Sequence, residues 1–203
     1  MFLLHGFGDE ENAWATVGRA NFIADSLIDQ GKIVKSIIVM TNGHPVPIPT
    51  GRQDDYGARK NAAMEQELLH DVMPCIEASN PVSREPAGRA IVGLSMGGGQ
   101  SLRIGLGHPD VFGWVGAFSS ATPEGDLDRQ FAGLLAAEAR QSGAPRLIWI
   151  GVGREDFLLE RNTKFHAWLE EKHVPHEWHL TDGGHEWPVW RGYLEEFLQK
   201  IFR

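Results

Sequence analysis

Short apolar runs alternate along this chain with stretches whose apolar residues recur every three or four positions. Met1 to Leu4 (M-F-L-L) predicts a buried strand running into a turn-forming loop, His5-Gly6-Phe7-Gly8-Asp9. Ala20 to Gln30 places Phe22, Ile23, Leu27 and Ile28 at helical spacing, with Gly31 as the C-cap. Ser36 to Met40 (S-I-I-V-M) is apolar on both faces, as a parallel strand covered by helices should be. Residues 41–57 hold Pro45, Pro47 and Pro49 and predict a surface loop, the prolines at 45–49 being candidates to shape a pocket. Ala58 to Ala78 carries Met64, Leu68, Val72 and Ile76 at intervals of four, a helix, and Asn80 to Gly88 is a proline-broken connection.

From Arg89 to Gly99 the chain reads R-A-I-V-G-L-S-M-G-G-G, a β-branched run followed by a helix-like stretch to about His108. Strands are then expected at Gly113 to Ser119, Arg146 to Val152 and His176 to Leu180. Helices are expected at Leu127 to Arg140, Glu160 to Lys172 and Trp187 to Phe202. Strand and helix alternate without repeats or low-complexity tracts. The pattern predicts a three-layer α/β fold around a mostly parallel sheet with right-handed crossovers, in a single domain over 1–203.

Composition narrows the function classes. With 203 residues, 42% of them hydrophobic, the chain can bury one sizeable core and is short for two. A formal net charge of −8 without a basic block argues against a nucleic-acid partner. No run of about 18 apolar residues appears, so no membrane span is expected. Cys75 is the sole cysteine, excludes an internal disulfide, and is expected in the core. Met1 to Leu4 lacks the basic flank and long apolar stretch of a signal peptide.

Gly93-Leu94-Ser95-Met96-Gly97 is a G-x-S-x-G pattern between a strand and a helix, the setting in which a sharp turn presents one serine at a strand's C-terminal end. The bare pattern has about 0.07 chance matches in a chain of this length, so the strand-turn-helix context carries the signal. Glycines on either side let neighbouring backbone pass close. The helix N-terminus directs N–H groups at the site, and the Met96 N–H is the expected donor to a developing oxyanion.

A serine hydroxyl is a weak nucleophile until an imidazole takes its proton, and the imidazole needs a carboxylate to fix its tautomer. In the order serine, acid, histidine, the acid candidate is Asp156, in G-V-G-R-E-D directly after the strand at 146–152. Glu155 is its competitor, and Asp182 lies too close to the histidine loop. His185, in D-G-G-H-E-W between the last strand and last helix, is the histidine candidate. His176 and His179 alternate within a strand, and His166 and His173 are expected to be solvated. His5-Gly6-Phe7-Gly8 resembles a loop that can aim the Phe7 N–H at the same oxyanion, with His5 itself structural. No H-E-x-x-H or paired C-x-x-C spacing and no G-x-x-x-x-G-K-[ST] loop occurs, so neither metal catalysis nor a nucleotide site is expected.

The segments L-L-H-G-F-G-D-E-E-N-A-W, A-N-F-I-A-D-S-L-I-D-Q-G-K-I, G-L-S-M-G-G-G-Q-S and G-G-H-E-W resemble the α/β-hydrolase esterases of carbohydrate esterase family 1, the feruloyl and acetylxylan esterases. S-formylglutathione hydrolases, enterochelin esterases and mycolyltransferases are more distant relatives. The resemblance spans nearly the whole chain. It implies Ser95 as nucleophile, Asp156 as acid, His185 as base, Phe7 and Met96 as oxyanion donors, an acyl-serine intermediate and no cofactor. It also implies a polysaccharide-linked ester as substrate, with ferulate first and acetate or another small ester second, an acyltransferase resolving the acyl-serine with an alcohol as a further alternative, and it suggests secretion.

Members of that group carry several strands before the H-G loop, whereas this chain begins at that strand. The expectation is therefore a sheet lacking those strands, with strand 1–4 at an exposed edge or paired across a homo-oligomer interface. Trp14, Trp187 and Trp190 are candidates to stack on an acyl group or sugar, set against ordinary core packing. A serine peptidase of this fold and a non-catalytic binding protein are the readings from other classes.

Overall fold

In a computed structural model, residues 1–51, 55–136 and 145–202 are described. Among them, five strands form one sheet, β1 (Phe2–Leu4), β2 (Ala90–Leu94), β3 (Trp114–Phe118), β4 (Leu147–Gly153) and β5 (Glu177–Thr181), in sequence order and all parallel. The register pairs Leu4 with Gly93, Leu94 with Phe118, Phe118 with Gly151, and Gly153 with Thr181, so the strands end along one edge.

Alternation along each strand sorts side chains into two cores. Phe2, Leu4, Ile91, Val115, Ile148 and Ile150 face one side, against α3 (Tyr56–Glu67), α5 (Met96–Gly107) and α8 (Leu159–Glu171). Met1, Leu3, Val92, Trp114, Phe118 and Trp149 face the other, against α2 (Ala20–Asp29) and α9 (Trp187–Leu198). The predicted three-layer α/β architecture is thus observed. A single turn, α1 (Ala13–Thr16), follows the H-G loop. α3 continues through a π-helical segment (Leu68–Val72) into α4 (Met73–Ser79), which accounts for one long predicted helix. The helix expected over 127–140 is two single turns, α6 (Leu127–Gln130) and α7 (Ala132–Leu135), and its residues from 137 onward lie outside the described residues.

Three expectations are corrected. Ser36 to Met40 contributes one bridge, Val39 to Phe2, rather than a strand. That short contact nevertheless covers the outer side of β1: Leu3 N–H donates to Val39 O (2.9 Å), Val39 N–H to Met1 O (2.8 Å), and the Met1 ammonium to Ile37 O (2.8 Å). Met1 to Leu4 are all buried, so β1 is covered within its own chain rather than left as a bare edge. Cys75 is exposed, because it falls on the solvent side of α4. Among the described residues no helix is long and apolar enough to cross a membrane.

Candidate active site

The fold places the Ser95, Asp156, His185 and H-G loops past the C-terminal ends of β2, β4, β5 and β1, on one edge of the sheet. Ser95 sits between β2 and α5 at φ 52°, ψ −115°, a conformation that costs a non-glycine residue about 1–3 kcal/mol. Three backbone hydrogen bonds hold it there: Ser95 N–H to Phe118 O (2.8 Å), Ala121 N–H to Ser95 O (2.8 Å) and Gly99 N–H to Ser95 O (3.1 Å). Close approach explains Gly97, since a Cβ there would lie 2.5 Å from His5 O and 2.6 Å from Leu4 O.

Asp156 and His185 are brought together because their loops touch. Arg154 N–H donates to Thr181 O (2.8 Å) and Glu155 N–H to Gly183 O (3.1 Å). Gly183 turns at φ +94°, and a Cβ on Gly153 would lie 2.0 Å from its oxygen. Across this junction His185 Nδ1 lies 2.9 Å from Asp156 Oδ2 and 3.1 Å from Oδ1. A carboxylate only accepts, so Nδ1 carries the proton and Nε2 is left with a lone pair. Asp156 Oδ1 also accepts from the Leu158 N–H at 2.8 Å. Burial pushes the Asp156 carboxyl up, but the hydrogen bonds from His185 and the Leu158 N–H outweigh it and hold the group below its ordinary value. The competing carboxylates are out of play: Glu155 is exposed, and Asp182 is fully exposed beside Arg154.

Among the described residues no hydrogen bond joins Ser95 to His185. The imidazole is fixed by rings instead, with Phe157 at 4.5 Å and Trp190 edge-on at 4.9 Å. The N–H groups of Phe7 and Met96, expected as oxyanion donors, have no backbone acceptor among the described residues. Ser95 opens on a cleft of about 300 Å³ lined by Phe7, Lys60, Met96, Arg103, Phe157 and Arg161. A larger cleft, about 700 Å³, lies between Phe2, Ile37, Met73 and Phe202 and includes none of these groups.

The tryptophans divide. Trp14 is fully buried and donates its indole N–H to Leu4 O (3.0 Å), and Trp190 is buried beneath His185, so neither offers a face to a substrate. They and the half-buried Trp187 form an edge-to-face series, Trp14 to Trp187 at 5.1 Å and Trp187 to Trp190 at 5.3 Å, that supports the histidine loop from below. Residues 45–49 do not line the Ser95 cleft; the loop reaches the site through Gly43. The Gly43 N–H donates to His5 Nε2 (2.9 Å), its carbonyl accepts from the Gln100 side-chain amide Nε2 (3.0 Å), and His5 Nδ1 donates to Gly6 O (2.8 Å). His5 is therefore structural, as expected. Gln100 and Asn162 were not legible as site residues, because their partners are backbone atoms remote in sequence.

A family model described as "Putative esterase" matches residues 1–201. The chain belongs to this esterase family. It is 29% identical over its full length to an endo-1,4-beta-xylanase/feruloyl esterase of Xylanibacter ruminicola, of which it spans about a quarter (26%). It is 23% identical over 99% of its length to an acetyl esterase of Caldicellulosiruptor saccharolyticus, covering 83% of that protein. The fold superposes with a TM-score of 0.85 and 24% identity on a family 1 ferulic acid esterase from the anaerobic fungus Anaeromyces mucronatus, over 99% of this chain and 77% of that one. These likenesses agree with the α/β-hydrolase esterase resemblance read from the sequence.

Proposed function

We propose that the chain is a serine carboxylic-ester hydrolase that releases ferulate from plant cell-wall polysaccharide, with Ser95, His185 and Asp156 as its triad. The observation that carries this reading is the His185–Asp156 pair, which leaves a basic Nε2 on the sheet edge where strained Ser95 is displayed. In the reaction, Ser95 Oγ attacks the ester carbonyl carbon as His185 Nε2 takes its proton. The Phe7 and Met96 N–H groups receive the oxyanion. The tetrahedral adduct collapses, the imidazolium protonates the departing alkoxide, and an acyl-serine remains. Water, deprotonated by the same imidazole, then releases the acid. Asp156 keeps its negative charge throughout and stabilises the imidazolium.

The feruloyl assignment draws on the xylanase/feruloyl esterase relative, and the acetyl esterase relative keeps acetate as the second reading. The test is release of ferulic acid from methyl ferulate and of acetate from acetylated xylan, with Ser95→Ala and fluorophosphonate labelling alongside. Ferulate release lost in the variant supports the proposal, and acetate release alone moves the substrate to acetylxylan. Peptide-amide cleavage, or no labelling of Ser95 in folded protein, overturns it.

A further inference from the structure

A second cluster of chemistry-bearing side chains lies away from this site. His166 and Glu170 are one turn apart on α8, and His176 immediately precedes β5. This is the end of β5 opposite the His185 loop. His166 Nδ1 is 2.7 Å from His176 Nε2, and His176 Nε2 is 3.6 Å from Glu170 Oε1. The three ligand atoms all fall within 4.8 Å of one another.

The tautomer of His176 is fixed. Its Nδ1 lies 2.8 Å from Val174 O, which can only accept, so Nδ1 carries the proton and Nε2 presents a lone pair. That lone pair faces both the second imidazole nitrogen and a carboxylate oxygen. His166 Nδ1 either donates its own proton to that lone pair or, as the Nε2–H tautomer, joins it and the carboxylate oxygen in holding a cation. Neither ring is free to turn away: the His176 side chain is 2% exposed, and His166 stacks on Trp178 at 4.6 Å and 4°.

We propose that His166, Glu170 and His176 bind one divalent transition-metal ion of the zinc class, independently of the ester chemistry. Two imidazoles and one carboxylate suit zinc, whereas calcium and magnesium prefer all-oxygen sets. Ligand atoms about 2.0–2.1 Å from a tetrahedral zinc lie about 3.3 Å apart. The separations of 2.7 and 3.6 Å bracket that value and the third is within 4.8 Å, so small ring shifts and rotation of the exposed Glu170 side chain complete the geometry. The Val174 carbonyl supplies the outer bond that orients a ligating histidine. Exposed Glu170 leaves the fourth position to water. Burial, then the neighbouring His176, lowers the His166 pKa and favours the neutral imidazole that ligates. The ion would clamp the last turn of α8 to the start of the edge strand β5.

The test is calorimetric titration of EDTA-stripped protein with Zn²⁺ near pH 7, with thermal unfolding and Co²⁺ absorption in parallel, on wild type, Glu170→Gln, His166→Gln and the double variant. Expected is one saturable site per chain, a raised Tm with metal, tetrahedral Co²⁺ bands, and at least about tenfold weaker binding in each single variant. Ester turnover of the metal-free variants should match wild type. Ions bound adventitiously at His185 would survive in the double variant and inhibit turnover. Equal Zn²⁺ binding by wild type and the double variant, or a wild-type Tm that responds to pH but not to Zn²⁺, overturns the proposal and leaves a proton shared between the two imidazoles.

Discussion

The carbonyl oxygen of His5 accepts a 3.0 Å hydrogen bond from the Gly97 N–H, tying the loop after β1 to the first turn of α5. The two proposed oxyanion donors, Phe7 and Met96, flank this bond, one on each side of the joined segments. Their spacing is therefore set by backbone rather than by flexible side chains. His5 is held in turn by Gly43 and by its own neighbour Gly6.

Gly97→Ala should break this junction. Its Cβ would meet His5 O at 2.5 Å, Leu4 O at 2.6 Å and Leu4 C at 2.7 Å, all backbone atoms that cannot rotate aside. Overpacking of this kind costs about 1–3 kcal/mol. The expected result is a lower denaturation midpoint together with a lower kcat. Gly192→Ala is the control: nothing lies within 4 Å of a Cβ there, the site is exposed in α9, and the change should raise stability by about 0.5–1 kcal/mol without affecting turnover.

Asp156 gives a pH signature. Its folded-state pKa is below the unfolded carboxylate value of about 3.9, so the stabilisation it provides is fully present above that value and lost as pH falls through the folded one. Urea denaturation of wild type and Asp156→Asn should show a stability difference that is flat from about pH 5 to 7 and shrinks below about pH 4. At neutral pH the same variant should lose about 10⁴ in kcat, because the amide no longer fixes the imidazole tautomer. Glu155→Gln should leave kcat unchanged, its side chain being exposed.

The parts of the fold written in local pattern were legible in advance. Residues such as Ile91 and Ile148 mark strands by β-branched runs, and the expected site residues Ser95, Asp156 and His185 stand past strand ends, where motif and chain order together made them candidates. Ser36 to Met40 has the same apolar run yet makes a single bridge, since pairing depends on the partner available and not on composition. Trp14 and Trp190 illustrate a second limit: proximity to the site in sequence says nothing about which face of a ring is covered. His166, expected to be solvated, and His176, expected within a strand, were not legible as a cluster with Glu170, because a helical turn and a loop bring the three together without a recognised spacing.

Asn162 is fully buried and makes three hydrogen bonds, accepting from Ser120 N–H (3.3 Å) and donating to Ser120 O (2.8 Å) and Leu158 O (2.9 Å). It thereby fastens α8 to the loop whose Ala121 N–H holds the Ser95 carbonyl. Asn162→Ala strands the Ser120 peptide groups and should cost about 1–3 kcal/mol, read as a lower urea midpoint. A fall in kcat at temperatures where the variant remains folded would accompany it, through loss of support for Ser95.

Lys60 is the cation of the Ser95 cleft with the clearest energetic conflict. It is 8% exposed, its ammonium lies 5.7 Å from the Phe7 ring centre and 5.6 Å from that of Tyr56, and burial lowers its pKa. A base with a lowered folded-state pKa destabilises the fold below that pKa, and the penalty fades as pH rises toward the unfolded value of about 10.4. Lys60→Met should therefore raise the urea midpoint at pH 7, with a smaller gain above about pH 10. With Arg103 and Arg161 on the same cleft, the latter partly offset by Glu124 at 3.3 Å, the retained charge should favour an ester carrying a carboxylate over its neutral analogue. In the Met variant KM for a hemisuccinate ester should rise several-fold, while KM for a neutral butyrate ester stays within about twofold. Added salt should raise the hemisuccinate KM of wild type and leave that of the variant less affected, since screening acts on a charge the variant has lost.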